Sequence, residues 1–125
     1  MGEVIKITEY SFNRIKHIQK DIENKIGIKI SYYKIITKTF KDGNPEKIFS
    51  EINENNFDIY KFSLNKHSKG SIAVKVPKDI HSQISNYKSI VRENTKTTIY
   101  MKDIVDLMFM SDIPEKLFKL DSKHQ

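Results

Sequence analysis

The side chains that could do chemistry are few, and their spacing excludes most kinds of it. His17, His67, His81 and His124 lack the mutual spacing of a metal site, and no histidine pair lies four residues apart around an acid. There are no cysteines, which rules out thiolate metal sites, cysteine nucleophiles and disulfides. Gly2, Gly27, Gly43 and Gly70 stand alone and form neither a phosphate-cradling loop nor a nucleophile elbow. The expectation is a protein with no catalytic residue, no metal and no cofactor. The nearest approach to an acid–base centre is His67, beside Lys66 and Lys69, or His81 in the first turn of an expected helix. Either could serve a small metal-independent RNase together with lysine and tyrosine. The plainer reading is a solvated histidine in the first case and a structural or phosphate-facing one in the second.

Charge is the stronger signal. The 22 Lys and Arg outnumber the 16 Asp and Glu, for a formal net charge of +6 and a pI near 9.4. Such a balance favours a polyanionic partner, most simply nucleic acid. Arg14 and Arg92 are the only arginines. Two stretches contain no acid: Lys25 to Lys41, with five lysines, and Lys66 to Lys78, with four lysines and His67. Solvated lysines on strand and loop faces are the alternative to a phosphate track. Tyr32, Tyr33, Tyr60 and Phe62 lie among lysines on expected strands, where they could stack on unpaired bases or form cross-strand core pairs. No apolar run approaches the roughly 20 residues of a membrane helix, and the first residues lack the apolar stretch of a signal peptide. A cytoplasmic protein with no membrane partner is expected.

The elements that must position these groups follow from periodicity. Residues 3–7 alternate, with Ile5 and Ile7 on one face, and suit a short strand. Phe12, Ile15, Ile18 and Ile22 form a helical stripe over 11–25, with Ser11 as N-cap and Asn24 and Gly27 as its end. Residues 28–40 are rich in β-branched and aromatic side chains. Ile28, Ile30, Tyr32, Ile36 and Phe40 share one parity, which predicts a long strand. Asp42, Gly43 and Asn44 signal a turn, and Pro45 opens a short helix over 45–54. A strand over 57–64, a polar loop and a strand over 71–76 read as a hairpin. After Pro77, the residues Ile80, Ile84, Tyr87, Ile90 and Val91 predict a helix to about Asn94. A Thr-rich break leads to a second helix, about Ile99 to Met110, that is apolar almost all round through Leu107, Met108, Phe109 and Met110. Such a helix is deeply buried or lies at an interface. Pro114 ends it, and Leu117, Phe118 and Leu120 suit a final turn.

The expected fold class is α+β, a small antiparallel or mixed sheet with amphipathic helices in the order β-α-β-α-β-β-α-α. One domain over 1–125 is expected, with an α/β part at 1–68, a strand-helix-helix part at 69–113 and a tail at 114–125. No internal repeat or low-complexity segment is expected.

The order strand (Ile72 to Val76), Pro77, helix, polar turn, helix resembles the ribbon-helix-helix family, typified by the Arc and Met repressors. The resemblance covers residues 70–112 and is carried by Ile72, Ala73, Val74, Lys75, Val76 and Pro77, by Asp79, Ile80 and His81, and by Thr97 and Thr98 leading to Met101, Lys102, Asp103, Ile104 and Val105. It implies a strand that pairs with its two-fold mate to form a ribbon entering the major groove. Ile72, Val74 and Val76 would face the core. Ser71, Ala73 and Lys75 would face the bases, with Lys69 and Lys78 near phosphates and Thr97 and Thr98 offering backbone amides to a phosphate. The gap between Pro77 and Met101 is several residues longer than is usual in that family.

The expected function is therefore a non-enzymatic, sequence-specific protein for double-stranded DNA, a homodimer, acting as a repressor or as a plasmid or mobile-element accessory factor. The alternative is a protein-interaction module, such as a phage- or plasmid-encoded inhibitor or antitoxin, using the apolar surface at 107–110 against a heterologous partner.

Overall fold

The structure is a computed structural model that describes residues 2–53 and 70–120. The strand expected at 57–64 lies outside the described residues, as does the loop expected at 65–70 except Gly70, which belongs to a strand, and with them Tyr60, Phe62, His67 and Lys69. The same holds for His124. The elements are β1 (Gly2–Thr8), α1 (Glu9–Ile26), α2 (Tyr32–Asp42), α3 (Glu46–Glu51), β2 (Gly70–Pro77), α4 (Lys78–Thr95), α5 (Met101–Met110) and α6 (Ile113–Leu117). The class is α+β as expected, but the order is β-α-α-α-β-α-α-α, which corrects the expected β-α-β-α-β-β-α-α.

β1 and β2 form a two-stranded antiparallel sheet with Ile5 opposite Val74 at its centre. Ile5, Ile7, Val74 and Val76 are buried on one face. The expected partner of β2 within the chain was 57–64; the partner among the described residues is β1. A two-stranded sheet is marginal alone, so its apolar face must be covered. α1 covers it with Ile15, Ile18 and Ile22, and α4 with Ile80, Ile84, Tyr87 and Val91, all buried at three- and four-residue spacing.

The largest departure lies at 28–40, where the expected strand is helix α2. Ile28 is 60% exposed, whereas Ile35, of the opposite parity, is fully buried beside Ile36, Thr39 and Phe40. That set follows a helical stripe, not an alternating one. Ser31 starts the helix: its side chain accepts from the Lys34 amide at 3.2 Å. β-branched content is a weak prior that packing overrides. At α1 the N-cap is Thr8, whose hydroxyl oxygen accepts from the Ser11 amide at 3.2 Å, so the helix begins two residues earlier than expected. α5 begins at Met101 rather than Ile99, with Tyr100 as N-cap and the Tyr100 amide donating to the Asp103 carboxylate at 2.9 Å. Leu107, Met108 and Phe109 are buried in the chain's own core, which accounts for the all-round apolar character of this helix.

An internal repeat, not expected from the sequence, organises the whole. β1-α1-α2 and β2-α4-α5 match element by element at a constant offset of 69 residues, from Ile5 to Val74 and from Gly27 to Lys96. α1 and α4 each have 18 residues. Each ends in a left-handed residue, Gly27 (φ 74°) and Lys96 (φ 55°), whose amide donates to the equivalent carbonyl, Glu23 at 2.8 Å and Arg92 at 2.7 Å. The N-caps Ser31 and Tyr100 keep the offset. So do the buried pairs Ile15 and Ile84, Ile18 and Tyr87, Ile22 and Val91, Ile35 and Ile104, and Phe40 and Phe109. The units are interlocked. α2 packs on β2 and α5 on β1, so the second helix of each unit covers the strand of the other. Two long-range hydrogen bonds repeat the exchange: Arg14 Nε donates to the Phe109 carbonyl at 2.9 Å, and the equivalent Gln83 Nε2 donates to the Phe40 carbonyl at 3.0 Å. α3 packs on α4, and α6 lies against both α2 and α5.

Candidate nucleic-acid interface

The face of the β1–β2 ribbon opposite the core is solvent-exposed. The ladder sets Val4 opposite Lys75 and Lys6 opposite Ala73, and all four are exposed, Val4 at 55%. Lys6 and Lys75 are equivalent at the 69-residue offset and lie diagonally across the ribbon. From strand geometry their Cα atoms are roughly 8 Å apart. Neither is held in an ion pair with a described residue. The next outward pair is Gly2 opposite Pro77. A Cβ at Gly2 would stand 3.1 Å from the Val76 carbonyl oxygen and 3.8 Å from Lys75 Cδ, so the bare glycine leaves room for the Lys75 stem.

Of the residues expected to read DNA, Ala73 and Lys75 are on this exposed face. Lys78 is exposed at the first position of α4. Ser71 belongs to β2, but its side chain, like Lys69, lies outside the described residues. Thr97 and Thr98 precede α5 rather than starting it. Thr97 donates its hydroxyl to the Thr95 carbonyl at 3.2 Å, and the Asp103 carboxylate caps the helix start. The amides there face an acid, which disfavours the expected phosphate contact. Val4 and Lys6 were not expected at the site. Their alternation was visible, but nothing local to residues 3–7 says which strand they pair with.

A second polar cluster lies where β1 meets α1, beneath α5. The buried Asp106 Oδ1 accepts from the Thr8 and Ser11 hydroxyls, both at 2.5 Å, while Oδ2 has no hydrogen-bond partner among the described residues. Burial pushes the Asp106 carboxyl above its ordinary range, against the two hydroxyl hydrogen bonds. Arg14 pairs with the buried Glu115. Tyr10 is raised by burial, with Arg14 opposing. An open groove of about 260 Å³ runs along this end of α1, lined by Glu9, Tyr10, Asn13, Arg14 and His17. The cluster joins four elements, β1, α1, α5 and α6, and offers no nucleophile–base pair. His17 is exposed on α1 and His81 is half-buried in the first turn of α4. Tyr33 is exposed, and Tyr32 packs edge-on against Phe12 with ring centroids 5.2 Å apart, both on helical rather than strand faces.

Among the described residues no group of three or more His, Asp or Glu could hold a metal, and no helix is long and apolar enough to cross a membrane. Compared with family models, curated proteins and solved structures, the chain matches none.

Proposed function

We propose that this protein binds double-stranded DNA in a sequence-dependent, non-enzymatic way, with the β1–β2 ribbon in the major groove. The observation that carries the reading is the ribbon itself: a two-stranded antiparallel pair, buried on one face and exposed on the other, with Lys6 and Lys75 on the exposed face and in no ion pair among the described residues. The major groove, about 12 Å wide, admits a two-stranded ribbon of this kind. Lysine donates to guanine O6 and N7, and short apolar groups such as Val4 and Ala73 suit the thymine methyl. Lys78 and the net charge of +6 supply phosphate attraction. The likeness to ribbon-helix-helix proteins, first read at 70–112, extends by the internal repeat to 2–42. The role would be that of a repressor or an accessory factor of a plasmid or mobile element.

The test is an electrophoretic shift of duplex and single-stranded DNA at 50 and 200 mM salt. Duplex binding should exceed single-strand binding and fall by at least about tenfold between the two salts, as expected for several phosphate contacts. Lys6→Ala and Lys75→Ala should weaken binding by similar factors, since the two residues occupy equivalent positions. Absence of duplex binding at 50 mM salt overturns the reading, as does binding unchanged by both substitutions together.

A further inference from the structure

We infer that one chain is a fused two-fold reader. Its single ribbon would recognise a near-palindromic duplex, with the direction of binding set by the one exposed central pair that breaks the symmetry, Val4 and Ala73. The inference rests on the proposed DNA binding and adds a stoichiometry and a site symmetry to it.

The symmetry argument starts from the ladder. In an antiparallel pair, two strands related by a two-fold axis place one residue opposite its own equivalent, and every other pair occurs twice in exchanged order. The β1–β2 register does this from Glu3 to Ile7; a shift after Ile7 sets Thr8 opposite Gly70, so Gly2–Pro77 has no mirrored pair. Ile5 faces Val74, its equivalent, and the pair Val4–Lys75 is mirrored by Lys6–Ala73. The helices keep the same relation, since α2 crosses to β2 as α5 crosses to β1, and the Arg14–Phe109 bond has its counterpart in Gln83–Phe40. The ribbon that a symmetric dimer would assemble from two copies is therefore complete in one chain.

On the exposed face the two halves differ in a defined way. At one outward position both halves carry lysine, Lys6 and Lys75, so the bases they contact are symmetric about the axis. At the other outward position one half carries Val4 and the other Ala73. Valine fills more apolar volume against a thymine methyl than alanine does, so the two half-sites should differ at that step.

The experiment is selection from a duplex pool carrying a randomised core of about 14 base pairs, with wild type, Val4→Ala, Ala73→Val and the double exchange V4A/A73V. Both positions are exposed, so all four proteins should fold, which thermal melts can verify. Wild type should select an inverted repeat broken at one inner step. Val4→Ala should make that step symmetric in one form, and Ala73→Val should make it symmetric in the other. The double exchange should restore a broken inner step, because it only moves the valine from one half of the ribbon to the other. Sedimentation of the wild-type complex on one selected site should give one chain per duplex. A requirement for two chains per minimal site overturns the inference, as do single variants that leave the broken step unchanged or a double exchange that leaves the inner step symmetric. In those cases DNA binding itself still stands. A wild type that binds duplex without any selected sequence overturns the inference and leaves only phosphate-driven binding. A wild type that binds no duplex overturns both readings.

Discussion

Because α2 covers β2 and α5 covers β1, neither repeat has a complete core of its own, and the two should unfold as one unit. Phe40 and Phe109 test this. They are equivalent at the 69-residue offset, both fully buried, one in each repeat. Truncating a buried phenylalanine to alanine costs about 3–5 kcal/mol, while a chain of this length holds roughly 6–19 kcal/mol in total. Each variant should therefore remain folded in water. With a urea slope of about 2 kcal/mol per M, its midpoint should drop by about 1.5–2.5 M. The chain has no tryptophan, so single fluorescent reporters can be placed at exposed tyrosines, Tyr33→Trp in the first repeat and Tyr100→Trp in the second. In a Phe40→Ala background both reporters should show the same lowered midpoint, and likewise in Phe109→Ala. If Phe40→Ala moved only the transition of the first-repeat reporter and left the second-repeat reporter at the wild-type midpoint, the interlocking argument would fail. The one-chain ribbon would then lose its structural basis.

Two further outcomes follow from the polar cluster under α5. The Asp106 carboxyl is raised in the folded protein by burial, so the native state keeps its proton at a pH where the unfolded chain, near 3.8, has lost it. Its contribution to stability is full below that pH and declines as pH rises through the folded value. Asp106→Asn keeps an acceptor for Thr8 and Ser11 and removes the charge, so wild-type stability minus variant stability should fall as pH rises above the unfolded value and level off once the folded carboxyl has ionised, read in urea titrations; a flat or rising difference refutes the assignment. Arg14→Met strands Glu115 as a buried unpaired carboxylate and leaves the Phe109 carbonyl without its side-chain donor, at an expected cost of about 3–5 kcal/mol. Adding Glu115→Gln should recover part of that loss in the same titration, and no recovery would show that packing alone accounts for it.

The helices α1 and α4 and the strands β1 and β2 could be read from periodicity because their buried residues recur at a single spacing. α2 could not, because Tyr32, Ile36 and Phe40 satisfy an alternating pattern and a four-residue pattern at once. Ser31 as an N-cap was the local signal that separates the two. The repeat was hidden for a different reason. At the 69-residue offset only Lys6 and Lys75, Ile15 and Ile84, Ile30 and Ile99, Ile35 and Ile104, and Phe40 and Phe109 are identical in residues 2–42. Elsewhere much of the core keeps its apolar character but not its identity, as in Ile5 and Val74 or Ile36 and Val105, some buried positions change from polar to apolar, as in Ser11 and Ile80 or Thr39 and Met108, and the exposed faces differ. Half of the candidate site, Ala73 and Lys75, was legible on β2. The other half, Val4 and Lys6, depends on which strand lies beside β2, and that is a tertiary choice which no local pattern encodes.

Alternation alone does not fix that choice in detail. A slip of β2 by two residues along β1 keeps every apolar side chain inward and every lysine outward, so parity cannot distinguish the two registers. It would, however, move Lys75 by about 7 Å relative to Lys6 and spoil the symmetric placement of the pair. What opposes the slip is polar. Asp106, carried by the second repeat, holds Thr8 and Ser11 at the end of β1. Arg14 and Gln83 each hold the last turns of the other repeat's second helix through a backbone carbonyl. These bonds have direction and short range, so a two-residue slip breaks them, and it leaves Asp106 as a buried carboxylate without donors. The same junction in the other repeat has Ile80 where this one has Ser11, and Pro77 where this one has Thr8. A symmetric homodimer would have to build the costly carboxylate twice. A fused chain needs it only once, and one polar anchor is enough to fix the register of both strands.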